Sequence, residues 1–225
     1  MKKLLFLLFT IVATSATTLT YSQKVDTVIV TPIYKSYFSN KTHTPLFVVY
    51  NLFQGGGACS RADLSFQNDF KVNSATNVDY KGSGYDIGHM ANAEDFAYDC
   101  TLEKITFRFY NALPQTAQSN RGIWKSYETE IRKQSQTDHL LIICGGYSFT
   151  QHLTSNFKLK GVAMKKITQV LIPDYCFKII KDLKTKQIKC YTFPNDNSDD
   201  SKEVQLKDLL VLLKYDTTVI TNALK

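Results

Sequence analysis

Residue types able to do hydrolytic chemistry concentrate in two stretches: GSGYDIGHMANAEDF around His89, and FRFYNALPQTAQSNRGIWKSYETEIRK from Phe107 to Lys133. Histidine titrates near neutrality, so a neutral imidazole at His89 can take the proton of an attacking water. Gly88 before it lets the backbone approach a phosphate closely, or take a shape that other residues resist. Asn120 offers an amide oxygen, a weak ligand suited to a hard cation that keeps most of its waters. Read alone, it is a polar residue in a first helical turn. Glu128 follows Asn120 by eight residues, on a straight α-helix a rise of about 12 Å and a return to within about 80° of the same side. That is too far along for an obvious direct ligand. Helical side chains lean toward the N-terminus, however, so its carboxylate can reach back to a cation-bound water. The plainer role for Glu128 is an i,i+4 ion pair with Arg132, worth about a few tenths of a kcal/mol, and both can hold at once. His43, His139 and His152 have no comparable setting.

Together the two stretches resemble the DNA/RNA non-specific endonuclease family, the ββα-metal or His-Me finger nucleases, which include bacterial extracellular and mitochondrial nucleases. That family carries Asp-Arg-Gly-His, then Asn-x-x-Pro-Gln, then Asn-x-Gly-x-Trp entering a helix with a later Glu. The matching residues are Asp86, Gly88 and His89, then Asn111, Pro114 and Gln115, then Asn120, Gly122, Trp124 and Glu128. The similarity runs from about Arg61 to the FPN at Phe193 to Asn195.

The resemblance implies a metal-dependent endonuclease acting on DNA and RNA. His89 is then the general base, Asn120 the metal ligand, and Mg²⁺ the cation, with Mn²⁺ as an alternative. Sequence preference is expected to be small, because metal and phosphate contacts carry no base information. Glu128 is expected to orient a metal-bound water, Asn111 to secure the catalytic loops through backbone hydrogen bonds, and Asp86 to orient the histidine segment or bind nearby backbone. The family's motif arginine, expected to contact the phosphate, is replaced by Ile87. Losing one such donor typically costs about 10²–10³ in rate. Arg61, near the position of another family arginine, is the first candidate for the remaining phosphate clamp, and Lys81 and Arg121 are the next; each is otherwise a solvated surface charge. A second class of function keeps the fold as an extracellular nucleic-acid binder with impaired catalysis, recognisable by salt-sensitive binding without cutting. A structural or adhesive exported domain gives no reason for His89, Asn120 and Glu128 to fall in this order.

The elements that must position these residues read as mixed α+β, with a mainly antiparallel sheet flanked by helices and containing the finger. Strand-like runs rich in β-branched and aromatic residues are VDTVIV, PLFVVYNLF, HLLIICGG, KITQVLI, YCFKII and IKCYTF. The last two flank a polar tip and form a hairpin candidate. Ile123, Trp124, Tyr127 and Ile131 recur at helical spacing, which predicts a helix from Ser119, as N-cap, to about Gln136, with Trp124 and Tyr127 in its buried stripe. Further helices are expected over Asp95 to Phe107 and Lys202 to Lys214. Strands and helices do not alternate one for one, which argues against a doubly wound parallel sheet, and no Gly-rich nucleotide loop is present.

The chain opens with two lysines, an apolar run from Leu4 to about Val12, and small or polar residues. This is the order of a secretory signal peptide over residues 1–22, with cleavage near Ala16 or Ser22. The run is short for a permanent membrane span. One domain is expected from about residue 24 to 225, secreted to the periplasm or the exterior, with no membrane association after leader removal and no obligate protein partner. Loss of the leader's two lysines takes the formal charge from +7 to +5, a balance that favours polyanionic partners only slightly. Five cysteines in an oxidising compartment leave at least one thiol over. Cys176 and Cys190, flanking the hairpin, are the first expected pair, and Cys144 in LLIIC reads as a buried thiol. No CxxC or His–Cys spacing suggests structural zinc.

Overall fold

The computed structural model describes residues 23–68, 71–149, 152–153 and 170–225. The expected leader and most of the KITQVLI run lie outside them. In chain order the strands before the finger are β1 (Thr27–Val30), β2 (Tyr34–Ser39) and β3 (Thr44–Leu52). Then come α1 (Asn77–Tyr80), β4 (Tyr85–His89), a 3-10 turn at Ala93–Phe96, α2 (Cys100–Thr106) and β5 (Ala112–Thr116). A single turn α3 (Ala117–Ser119) passes through a π turn at Asn120–Trp124 into α4 (Lys125–Gln134). After it run β6 (Leu140–Tyr147), β7 (His152–Leu153), β8 (Leu171–Ile172), β9 (Tyr175–Asp182), β10 (Ile188–Pro194), β11 (Lys202–Val204), α5 (Leu206–Leu212) and α6 (Thr218–Ala223).

Seven strands make one antiparallel sheet in the order β1-β2-β3-β6-β9-β10-β11, and β4 pairs with β5 in a separate two-stranded ribbon. The sheet is buried on both faces, which is why β6 reads as a continuous apolar run rather than an alternation. Leu140, Ile142 and Cys144 face one apolar cluster with Trp124, Ile131 and Phe193, while Leu141 and Ile143 face a second with Leu209, Leu213 and Ile220 of the C-terminal helices. The first cluster is the floor on which β4, β5 and α4 rest. These three elements form the strand–strand–helix finger, and Trp124 anchors it edge-on against Phe193 at 5.2 Å. Tyr127 meets Phe193 in the same way at 4.9 Å. No described helix is long and apolar enough to cross a membrane.

Several expected boundaries move for identifiable reasons. The helix predicted from Ser119 begins at Ala117 instead, because Thr116 is the cap and its hydroxyl accepts from the Ser119 N–H at 3.2 Å. It is also not straight: Gly122 has non-helical angles (φ −98°, ψ −107°) inside the π turn, so a rise computed for a regular helix does not apply across it. The helix expected from Asp95 starts at Cys100, where the Asp99 carboxylate accepts from Thr101 and Leu102. At the C-terminus Lys202–Val204 pairs with β10 as a strand, and the helix follows from Leu206. β2, β4 and β5, too polar or too broken by Gly and Pro to read as strands, are additional.

The cysteine pairing is corrected. Cys59 and Cys100 form the disulfide, while Cys144, Cys176 and Cys190 are free and buried. Cys176 and Cys190 do lie on the hairpin β9–β10, but Cys176 opposes Phe193 and Cys190 opposes Ile179. Their side chains therefore enter opposite faces of the sheet, Cys176 in the first apolar cluster and Cys190 in the second.

Candidate active site

The end of β4, the π turn and one side of α4 surround a cleft of about 510 Å³ lined by Arg61, Ile87, His89, Asn120, Arg121 and Glu128, with Asn92, Glu94, Lys125 and Arg132 among the others. His89, Asn120 and Glu128, spread over 40 positions of sequence, thus share one space. Lys81 is exposed at the end of α1 and does not line it. His43 binds the Asn73 carbonyl at 2.6 Å and His139 stacks on Phe53, both outside the cleft.

His89 sits between two phenyl rings, Phe66 at 4.5 Å and Phe107 at 4.7 Å. Burial, with the Arg61 charge second, lowers its pKa to about 3, so the ring is neutral at physiological pH. Its Nε2 is buried without a partner, so the nitrogen open to the cleft is Nδ1. The chain after His89 is held by Asn111: Met90 N–H donates to the Asn111 carbonyl at 2.8 Å, and the Asn111 side chain accepts from Ala91 N–H and donates to the Ala91 and Thr106 carbonyls. Gly88 is required by a close approach, though not that of a phosphate. A Cβ there would lie 1.7 Å from Gln115 Oε1, since the Gln115 side chain crosses over β4 toward Cys176.

Asp86 has a different role from the one expected. Its partners are side chains rather than backbone, and through them it links β4, the strand that carries His89, to the π turn. Its carboxylate accepts from Asn120 Nδ2 at 3.0 Å and from Arg121 Nε and Nη2 at 2.7 and 2.6 Å. The Arg121 hydrogen bond, seconded by Asn120, holds the Asp86 carboxyl below its ordinary value. Two consequences follow. With Nδ2 committed, Asn120 Oδ1 is the amide end left to coordinate a cation. Arg121, 73% exposed, is oriented by a two-point grip that leaves Nη1 for an anion. Arg61, 49% exposed, is held by Glu94 at 3.1 Å and, more loosely, by Glu103 at 3.8 Å. Its backbone lies two residues from the Cys59–Cys100 disulfide.

Glu128 is buried on the floor of the cleft, and the i,i+4 ion pair with Arg132, the alternative role for it, is not made. Arg132 turns to Asp95 at 3.1 Å and Asn92 at 3.4 Å, while Glu128 Oε1 faces Lys178 Nζ at 3.7 Å. Burial raises the Glu128 pKa to about 7 against the attraction of Lys178. Lys178, Asp95 and Asn92 were not singled out from the sequence as site residues, and Arg132 only as an ion-pair partner for Glu128. The available signal was in YCFKII, where a lysine occupies an inward position of an otherwise apolar strand.

A divalent cation fits this donor set in one way. Among the described residues no three His, Cys, Asp or Glu side chains converge as a cage. One amide oxygen with a carboxylate nearby suits a hard ion that keeps most of its waters.

A family model described as DNA/RNA non-specific endonuclease matches residues 13–215. The chain is similar to the mitochondrial endonuclease G of Bos taurus, 28% identical over 182 residues, covering 77% of this chain and 60% of that protein. It is also similar to the mitochondrial nuclease EXOG of Mus musculus, 31% identical over 129 residues, covering 55% and 35%. The chain thus spans about 60% of the length of the first of these relatives. Among solved structures, a chain of an EndoG/EndoGI complex matches with a TM-score of 0.69 at 24% identity, covering 83% of each; that likeness is one of fold.

Proposed function

The chain belongs to the DNA/RNA non-specific endonuclease family, and from that premise we propose that it is an exported endonuclease hydrolysing phosphodiester bonds of DNA and RNA with little sequence preference, using Mg²⁺ or, alternatively, Mn²⁺. The observation that carries this reading is the meeting of a neutral His89, the Asn120 amide and the Glu128 carboxylate in one cleft. In it, His89 Nδ1 accepts the proton of the attacking water. Asp86 holds Asn120 with its oxygen outward, and Glu128 accepts hydrogen bonds from water on the cleft floor. Arg121 and Arg61 face the phosphate. A cation held at Asn120 supplies charge neutralisation at the phosphorus and at the departing oxygen. The Cys59–Cys100 disulfide and the leader-like first 22 residues support export to an oxidising compartment.

Ile87 lines the cleft without a donor, which favours a second reading, a catalytically impaired nucleic-acid binder. Against it stands Arg121, fixed in the same cleft by Asp86, the neighbour of Ile87. Purified protein is expected to cut plasmid DNA and RNA alike and to stop on chelation of divalent metal. His89→Ala is expected to abolish cutting with melting unchanged, and continued cutting would remove His89 from the mechanism. If Arg121 supplies the donor that Ile87 lacks, Arg121→Gln slows cutting about tenfold or more. Ile87→Arg then adds little to the wild type but restores rate to Arg121→Gln. Binding without cutting in every metal would establish the second reading.

A further inference from the structure

Among the described residues Lys178 stands out as a lysine with none of its side chain exposed, in the middle of β9. On the face shared by Cys176 and Ile180 it opposes Cys144 across the sheet, a slot that an apolar side chain would fill without desolvating a charge. Its ammonium lies 3.6 Å from the centroid of the Trp124 ring and 3.7 Å from Glu128 Oε1, and makes no hydrogen bond. A buried ammonium is costly unless paired, and the ring face offsets only part of that cost. Trp124 closes the π turn that opens with Asn120, and Glu128 lies in the first turn of the helix that follows. The one ammonium therefore meets two of the three segments that build the cleft, the π turn and α4.

We propose that Lys178 is a positioning residue for the reaction, fixing the Glu128 carboxylate against the cleft floor from beneath and tying it to the turn that carries Asn120. The inference rests on the reading of Glu128 as a site residue. The groups facing Glu128 are Lys178 from β9, Asp95 and Asn92 from the segment of the 3-10 turn, Arg132 from α4, the Tyr50 hydroxyl from β3 and the Cys144 thiol from β6, the last two both held neutral by burial. Arg132 is engaged by Asp95, and Asp95 repels, so Lys178 is the counter-charge that Glu128 does not share with a closer anion. Without it, Glu128 protonates at higher pH and loses its fixed orientation.

The test is a double-mutant cycle on plasmid cleavage and on melting, using Lys178→Met, Glu128→Gln and both together. Lys178→Met is expected to lower kcat about tenfold or more, with little change in KM, and to move the acid limb of kcat upward by about one pH unit, a differential interaction of the kind that separates two protonation states. Because it acts through Glu128, the double variant is expected to cut no more slowly than Glu128→Gln alone. It should also melt above either single variant, since each single leaves a buried charge without its partner. If Lys178→Met does not fold, a folded double with the activity of Glu128→Gln supports the same conclusion, and a double that also fails to fold overturns it. Multiplicative rate losses, or a slower Lys178→Met with its acid limb unmoved, reduce Lys178 to a packing residue. A Glu128→Gln that cuts at the wild-type rate removes Glu128 from the reaction and this inference with it. The proposed function is decided separately, by whether the wild type cuts and His89→Ala does not.

Discussion

Replacing Asn111 with alanine tests whether the histidine is held in place by the chain behind it. The Asn111 side chain is fully buried and joins three backbone groups: it accepts from Ala91 N–H at 2.8 Å and donates to the carbonyls of Ala91 and Thr106, both at 2.9 Å. Ala91 lies two residues beyond His89, and Thr106 ends α2. Each such bond contributes roughly 0.5–1.5 kcal/mol net, and truncation also leaves the Ala91 N–H and carbonyl unpaired, while the Thr106 carbonyl keeps the Arg108 N–H, so a loss of about 3–5 kcal/mol is expected. For a domain of this size about 2–4 °C accompanies each kcal/mol, which makes a melting decrease of around 10 °C or more. The backbone bond from Met90 N–H to the Asn111 carbonyl survives the change, so the segment loosens rather than detaches. A reacting group displaced by about 1 Å loses on the order of 10²-fold in rate. Calorimetry gives the melting shift, and initial rates of plasmid nicking, taken well below the variant's transition, give the loss in kcat. A melting point within 2–3 °C of wild type, on the scale that one kcal/mol represents, would refute the hydrogen-bond argument. A large melting shift with an unchanged rate would show that Asn111 serves the fold and not the position of His89.

Two further outcomes follow from single features. The Cys59–Cys100 bridge closes a loop with a sequence separation of 41, for which chain entropy gives about 4 kcal/mol; Cys59→Ser/Cys100→Ser is expected to melt well below wild type, and to do so equally with and without reductant, whereas wild type drops only when reduced. The folded-state pKa of His89 is depressed to about 3 from an ordinary value of 6.5, so below about pH 6.5 the unfolded chain takes up a proton that the folded chain refuses, and this stabilisation is lost as pH falls toward 3. The stability of wild type minus that of His89→Gln should therefore be flat above pH 7 and decline from 6.5 downward in denaturant titrations; a difference independent of pH would show that His89 is not buried as a neutral ring.

What the sequence made legible is what depends on residue type and spacing. Runs such as HLLIICGG announce a strand buried on both faces, and the stripe of Ile123, Trp124, Tyr127 and Ile131 announces the helix packed above it. His89, Asn120 and Glu128 stand out because few roles suit their order. What was not legible depends on contacts between distant segments. β4 and β5 pair with each other over a gap of more than twenty residues, and their Gly and Pro read as loop until that pairing is known. The disulfide joins residues whose neighbourhood is set by the packing of Gly57 against Ala97, where a Cβ would lie 2.0 Å from the carbonyl oxygen. The hairpin made Cys176 and Cys190 plausible only because the parity of their opposing residues was unknown. Asp86 sits beside the histidine in sequence, yet its side chain leaves β4 on the side of Asn120 and Arg121, a direction that no motif states.

The electrostatics of the cleft explain why one sign of charge serves two groups with opposite needs. Burial drives His89 toward its neutral form, the form a general base requires, and the nearby Arg61 pushes it further in that direction. The same burial drives Glu128 toward its neutral form, which would end its use as an acceptor of hydrogen bonds from water, and here Lys178 and Arg132 pull it back toward ionisation. Cations around the cleft therefore favour the reactive state of both residues at once. The carboxylates with the wrong sign for this arrangement are each engaged: Arg132 binds Asp95 at 3.1 Å and Tyr50 donates to it at 3.0 Å, Arg61 holds Glu94, and Arg121 grips Asp86. Arg121 and Lys125 extend the positive lining to the exposed rim, where the proposed function brings a polyanionic strand. On the proposed function this field attracts the substrate and favours the working states of base and acceptor; Glu128, raised to about 7, still exchanges its proton near neutrality, while the low affinity of His89 for a proton lets it return that proton to solvent at any pH above its own pKa.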